Sequence, residues 1–306
     1  MKKKQVYCLM GPTASGKTEV ALALAQHFPI DIISVDSVMV YKGMDIGTAK
    51  PTPAELQQAP HHLIDIRFPF EAYSAADFVA DARYWIEQAF AAQRIPFLVG
   101  GTMLYFRALC FGLSSLPSSD PVLRARLSAQ LEAEGLASLY AQLQQVDPVA
   151  SGQIKPMDTQ RILRALEVYQ LTGQPLSSLW GAVVPVNDWE YVPIRLIPSN
   201  RAWLHQRITQ RFAQMLAQGF LEEVRHLQQD PRLTEDLPAM RAVGYRQAIA
   251  YLKGETSSLS WPETGIAATR QLAKRQITWL RHWPEGVILD PCQGPVLEDI
   301  LRTVII

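Results

Sequence analysis

The chain has 306 residues, with 29 Lys and Arg balanced by 29 Asp and Glu, and 48% of its residues are apolar. That composition excludes a mainly disordered chain, and no apolar run approaches the ~18 residues that cross a bilayer. Zero net charge argues against a nucleic-acid partner only as a sum, because phosphates respond to where charges lie.

Lys2-Lys3-Lys4 followed by Val6–Met10 imitates a signal peptide, but the apolar stretch is short and stops at Gly11-Pro12, so no leader is expected. Val6–Met10 reads instead as a buried strand, followed by a Gly-rich turn and a helix from about Lys17 to His27, stopped by Pro29. Residues 31–36 form a second apolar run that ends in Asp36. A long helix fits Ser74 to about Ala92: Ser74 and Asp77 make a capping pair, and Phe78, Ala82, Trp85, Ile86 and Ala89 form one stripe. Residues 96–101 are another strand running into glycines, with a helix beginning near Thr102, most simply its N-cap. Strands alternating with helices predict a parallel α/β sheet.

The alternation breaks at the Ser/Pro-rich stretch 114–121. Asp120-Pro121 then opens a helix with Leu123, Leu127 and Leu131 on one face, and a further helix runs from about Asp158 to Leu171, closing at Gly173. Strand character returns at Tyr191–Ile197, and helices follow near 200–218, 220–228, 244–252 and 264–283. The expected architecture is an α/β phosphate-loop core of parallel strands flanked by helices, residues 1–115 and 189–306, with an inserted all-helical domain at 116–188. Cys8, Cys110 and Cys292 are odd in number and far apart, so a reducing cytoplasmic setting is expected, with neither disulfides nor a zinc site. His61-His62 read as core or hydrogen-bonding histidines. A monomer is expected.

Gly11-Pro12-Thr13-Ala14-Ser15-Gly16-Lys17-Thr18 matches G-x-x-x-x-G-K-[ST] between a strand and a helix. The glycines let backbone N–H groups turn around phosphate oxygens, and the helix N-terminus adds positive potential. Lys17 would place an ammonium on the terminal phosphate and the Thr18 hydroxyl would ligate Mg²⁺. The loop leaves the chemistry open, since a small-molecule kinase or ATPase needs the same cradle. Asp36, at a strand end, suits a cap or a Mg²⁺ organiser. Arg207 and Arg211 lie one helical turn apart in a segment without acids. Residues 266–283 hold four Lys and Arg and no acid; Arg270, Lys274 and Arg281 share a face opposite Ala268, Leu272, Ala273, Trp279, Leu280 and Trp283. A solvated basic face is common, so this supports RNA only weakly.

Several blocks together resemble the tRNA dimethylallyltransferase (tRNA isopentenyltransferase) family. They are residues 11–18, Asp36-Ser37-Val38-Met39-Val40-Tyr41, Asp45–Pro51, His61–Asp65, Val99–Tyr105, Asp158–Glu167, Arg241–Gln247 and Thr269–Arg281, in order along nearly the whole chain. No C-terminal zinc-finger extension of eukaryotic relatives is seen, so a bacterial-type enzyme is expected. The resemblance implies transfer of a dimethylallyl group from dimethylallyl diphosphate to the exocyclic N6 amine of the adenine immediately 3′ of the anticodon. Asp36 then becomes the base that orients the amine and takes its proton, a role that a weakly nucleophilic aromatic amine needs. Thr13 stabilises the bridging oxygen of the departing pyrophosphate, Arg211 adds a second cation, and Mg²⁺ is held at Thr18.

The same resemblance assigns Asp36, Ser37, Val38, Met39 and Thr102 to the target nucleotide. Met39 stands where many relatives carry a polar residue. The anticodon stem-loop would meet the insertion at Gln160, Arg161, Ile162, Leu163 and Arg164, whose amide and guanidinium donors suit splayed bases. Arg241, Arg246, Arg270, Lys274 and Arg281 would contact tRNA phosphates.

Overall fold

The computed structural model describes residues 3–183, 187, 189–294 and 296–303. Six strands form one sheet: β1 (Lys4–Met10), β2 (Ile30–Val35), β3 (His61–His62), β4 (Ile95–Gly100), β7 (Trp189–Leu196) and β8 (Val287–Leu289), in the order β3-β2-β4-β1-β7-β8. Every pairing in it is parallel, with Met10 opposite Gly100 and Arg195, and Val35 opposite Gly100. The sheet therefore presents all its strand C-termini at one edge, where open α/β sheets bind ligands.

Period-two alternation places the two faces of each central strand in different cores. Val6, Cys8 and Met10 of β1 join Ile33 and Val35 of β2 on one face, with Phe78, Phe106, Phe212, Phe220 and Tyr245 packed there. Tyr7 and Leu9 join Ile30 and Ile32 on the other, against Leu22, Leu24 and Ile300. Strands buried on both sides need the near-continuous apolar runs seen in the sequence.

The helices α1 (Lys17–Ala25), α2 (Pro53–Leu56), α3 (Ala75–Ala91) and α4 (Met103–Phe111) belong to the first part of the chain. In α3 the Ser74–Asp77 capping box forms, and Phe78, Ala82, Ile86 and Ala89 are buried. Trp85, expected in that stripe, is half-buried and stacks on His62 at 3.8 Å between centroids. After β7 come α8 (Arg201–Ala217), α9 (Phe220–Leu227), α10 (Tyr245–Leu252), α11 (Trp261–Arg281) and α12 (Val296–Thr303). The short edge strands β3 and β8 and the helices α2 and α12 were not expected. Two or three residues cannot display a period, so edge strands of that length leave no pattern in the sequence.

The chain divides into two compact units, Met1–Cys110 with Val186–Ile306, and Phe111–Pro185. These edges fall ahead of the expected 116 and 188. The second unit holds α5 (Pro121–Val146), α6 (Pro148–Gln153) and α7 (Thr159–Thr172), plus a short antiparallel pair of β5 (Leu113–Ser114) with β6 (Ala182–Val183). The N-cap Asp120 accepts from Leu123 N–H at 2.9 Å, as the Asp-Pro pair predicts. α5 breaks at Gly135, whose φ of 80° is not helical. Leu127, Leu139, Leu143, Ile154, Ile162 and Leu166 make this unit's own core. Beneath it, the buried Glu167 carboxylate accepts from Ser119 Oγ, Asp120 N–H and Arg164.

Candidate active site

The phosphate loop leaves the C-terminal end of β1 and enters α1 at Lys17. Gly16 sits at the N-cap with φ 90°, a conformation that suits glycine. Gly11 N–H donates to the Gly100 carbonyl (3.3 Å), so the loop starts tied to β4. Lys17 Nζ donates to the Pro12 carbonyl at 2.6 Å, folding the ammonium over the loop. Burial, aided by the neighbouring Arg211 cation and opposed by Asp36, pulls the Lys17 amine down to about 7. Arg211, from α8, reaches across and donates to the Thr48 carbonyl at 3.2 Å, while its Nε is buried without a hydrogen-bond partner among the described residues. Burial also lowers its pKa, Asp36 raises it and Arg207 lowers it further. Arg207 is committed elsewhere: it donates to the Ala14 carbonyl at 2.9 Å and to Glu19 at 3.3 Å.

Asp36 follows the last residue of β2. Its Oδ1 accepts from Val38 N–H (2.8 Å) and Met39 N–H (3.2 Å), a side-chain turn that fixes the carboxylate. Thr102 stands where β4 gives way to α4. Its hydroxyl accepts from Ser37 N–H at 3.1 Å, so the expected N-cap side chain instead clamps the Asp36–Met39 segment. Met39 lies against Ser34 Oγ, with Sδ at 3.9 Å. Thr13, Lys17, Thr18, Asp36, Val38, Met39 and Arg211 all line one pocket at this sheet edge, whose walls also include Phe212, Met215, Phe220 and Leu272. A second cleft, lined by residues 14–19 with Arg207 and Arg211, adjoins the outer side of the loop. The pocket thus sets two cations and a carboxylate beside an apolar wall.

Three supporting residues were not foreseen. Glu223 of α9 accepts from the N–H groups of Asp45 (2.8 Å), Ile46 (2.6 Å) and Gly47 (3.1 Å) and from Tyr245 hydroxyl (2.6 Å). It holds the segment that ends in Thr48, the acceptor for Arg211. Lys50, nearly buried, is paired with Asp65 at 2.6 Å and with Asp45. Gln276 of α11 bonds the phosphate loop. No sequence pattern marks Glu223 or Gln276, since each acts on groups distant in the chain.

The remaining candidates separate by exposure. Gln160 and Arg161 are exposed at the start of α7. Ile162 and Leu163 are corrected: they are buried in the insertion core, Ile162 fully and Leu163 to 9% exposure, and so present no side chain to RNA. Arg164 is half-buried, giving Nη1 to Glu167 at 2.7 Å and Nη2 to the Pro117 carbonyl at 2.6 Å. Arg241, Arg246, Lys274 and Arg281 are exposed. Arg270 is half-buried and donates to Thr209 of α8 at 3.1 Å, so it does not share the open face of Lys274. Trp279, placed on the apolar side by periodicity, is 37% exposed with the Arg107 guanidinium 5.8 Å from its ring centroid. His61 Nδ1 lies 2.8 Å from the Ala59 carbonyl and the residue lines the same pocket as Asp36, whereas His62 faces Asp31 and stacks on Trp85. Among the described residues, no group of three or more His, Cys, Asp or Glu side chains could hold a metal, and no helix is long and apolar enough to cross a membrane.

Residues 39–283 match the family model described as IPP transferase, and residues 4–70 match that of isopentenyl transferase. A tRNA dimethylallyltransferase of Paraburkholderia phymatum is 54% identical over 303 residues, covering 98% of this chain and 96% of that protein. One from Legionella pneumophila is 53% identical over 301 residues, with the same coverage of each. The crystal structure of a tRNA isopentenylpyrophosphate transferase from Bacillus halodurans aligns with a TM-score of 0.70 at 34% identity, over 98% of this chain and 94% of that one. A eukaryotic dimethylallyltransferase acting on tRNA aligns with a TM-score of 0.81 at 26% identity, over 97% and 78%. By sequence over nearly its full length and by fold, the chain belongs to the IPP transferase family.

Proposed function

We propose that this chain transfers the dimethylallyl group of dimethylallyl diphosphate to the N6 amine of the adenine immediately 3′ of the anticodon in tRNA, releasing pyrophosphate in the cytoplasm. The observation that carries this reading is the shared pocket of a phosphate loop, a fixed carboxylate and an apolar wall. A kinase requires no apolar surface beside the phosphates, whereas a branched five-carbon tail does.

In the proposed step the amine nitrogen attacks C1 of the dimethylallyl group and a C–N bond forms. The C1–O bond breaks, its electron pair leaves on pyrophosphate, and the N6 proton passes to Asp36. Lys17 and Arg211 stabilise the charge that grows on the leaving group, and the Thr13 hydroxyl serves its bridging oxygen. Preorganised cations in a desolvated pocket act most strongly at that moment. The Asp36 Oδ2, which carries no hydrogen bond among the described residues, is left for the amine proton, and the Thr18 hydroxyl is a hard oxygen donor in the same pocket. That chemistry suits Mg²⁺, which keeps waters and takes its other ligands from substrate phosphates. When bound, the ion neutralises diphosphate charge. The adenine must leave its stack to reach Asp36, and the clamp of Thr102 on Ser37 gives that base a fixed wall. The anticodon stem-loop is proposed to meet Gln160 and Arg161, with Arg241, Arg246, Lys274 and Arg281 on phosphates.

Incubation with labelled dimethylallyl diphosphate, Mg²⁺ and unmodified tRNA tests the reading. Label is expected in RNA at that adenine. A folded protein that leaves the RNA unlabelled, or that turns over ATP without tRNA, overturns it.

A further inference from the structure

Gln276 lies on α11 between residues whose side chains face solvent, Lys274, Arg275 and Trp279, yet is itself only 9% exposed. Its Oε1 accepts from Thr13 N–H at 2.9 Å, and its Nε2 donates to the Gly101 carbonyl at 2.9 Å. A Cβ on Gly101 would lie 2.4 Å from that Nε2, so the glycine makes room for the amide. The ladder between β1 and β4 ends at Met10 and Gly100. Past the Gly11 N–H bond to the Gly100 carbonyl, the strands give way to two loops that no further backbone hydrogen bond joins among the described residues. Gln276 supplies the next rung from a third element, with one acceptor for the phosphate loop and one donor for the loop that leads to Thr102.

We infer that Gln276 is a positioning residue that sets the spacing between the diphosphate cradle and the loop that frames the target amine. The inference rests on the reaction proposed above. Thr13 belongs to the cradle, and Thr102, next to Gly101, clamps the segment that carries Asp36. A change in the gap between these loops displaces leaving group from nucleophile, and small displacements in near-attack geometry are costly in rate. The Thr13 N–H is spent on Gln276, which leaves Thr13 to meet substrate through its hydroxyl. An amide is the side chain that fits, since a carboxylate has no proton for the Gly101 carbonyl and a thioether has neither strong donor nor strong acceptor.

Two variants in the full-length protein test the assignment, with thermal denaturation confirming the fold and wild type assayed alongside. Gln276→Met is expected to lower kcat about tenfold, the size set by a lost pair of buried hydrogen bonds, while tRNA Kd stays within about twofold. Gln276→Glu carries a pH signature that loss of packing would not. Its carboxylate repels the Gly101 carbonyl, but the protonated acid accepts from Thr13 and donates to Gly101 as the amide does. Its kcat relative to wild type should therefore rise as pH falls from about 8 towards the carboxylate range. A kcat within about twofold of wild type for Gln276→Met overturns the assignment, as does a loss confined to tRNA Kd or a Gln276→Glu ratio that stays flat with pH. Should Gln276→Met fail to fold, the Gln276→Glu ratio decides. Absence of transfer by wild type overturns the proposed reaction instead, so the two failures are distinguishable.

Discussion

Lys17 illustrates how one residue can carry a binding signature. Its amine is held near 7 by burial and by Arg211, with Asp36 pulling the other way. An arriving diphosphate adds opposite charge and restores the ammonium. Below pH 7 the amine is already protonated, so binding needs no proton there. Above pH 7 the free protein holds a neutral amine, and binding must take one up, so affinity falls as pH rises. Calorimetry at pH 8 in two buffers of different ionisation enthalpy should read close to one proton taken up per dimethylallyl diphosphate, and none for Lys17→Met. Zero uptake by wild type would mean the amine is charged before the ligand arrives. Asp36 is separable from Lys17 by an isosteric change. In Asp36→Asn the side-chain oxygen can still accept from Val38 and Met39, so the turn persists while the base is lost. We expect kcat to fall about 10²- to 10⁴-fold with tRNA Kd little altered, measured in single-turnover transfer and filter binding. Equal losses in both would assign Asp36 to binding.

At the scale of elements, α7 shows both the reach of sequence reading and its failure. The period of the helix and its Gly173 stop are visible in the chain, and the structure has α7 end at Thr172 with Gly173 as its cap. Five consecutive residues cannot all face a ligand from one helix, however, because successive side chains are 100° apart. Ile162 and Leu163 consequently point into the insertion core and Gln160 and Arg161 away from it. Ile162→Ala should cost about 2–5 kcal/mol of stability by chemical denaturation. Arg161→Ala, whose pair with Asp158 is exposed, should cost under about 0.5 kcal/mol yet weaken tRNA binding. The central strands, the phosphate loop and the long helices were legible because period and motif are local properties. Gln276, Glu223 and the edge strands were not, because their partners lie far away in sequence: Thr13 for Gln276, Ile46 for Glu223 and Ile194 for Val287. Thr102 was half legible, since its place at a helix start is local but the Ser37 amide that it serves is not.

Across the whole molecule the balance of 29 against 29 charges hides unequal regions. Residues 51–100 carry three Lys and Arg against six Asp and Glu, while 201–250 carry seven against five. Exposure then divides the basic residues further than sequence can. Arg195 is buried and donates to the carbonyls of Leu280, Trp283 and Gly286, so it is not free to meet phosphate, and Arg270 is half-buried with Nη2 on Thr209. Lys274, Arg275 and Arg281 on α11 and Arg241 and Arg246 remain exposed. Counterion release counts only cations that reach phosphates, so binding strength should follow Arg241, Arg246, Lys274 and Arg281 and not the net charge. Replacing Lys274 and Arg281 with Gln should weaken tRNA binding and lower the slope of log K against log salt by about one for each phosphate that is no longer neutralised. Arg270→Gln, by the same measurement, should leave the slope unchanged while lowering stability through its missing bond to α8. A slope that drops for Arg270→Gln and holds for the double variant would place the RNA on the other side of α11.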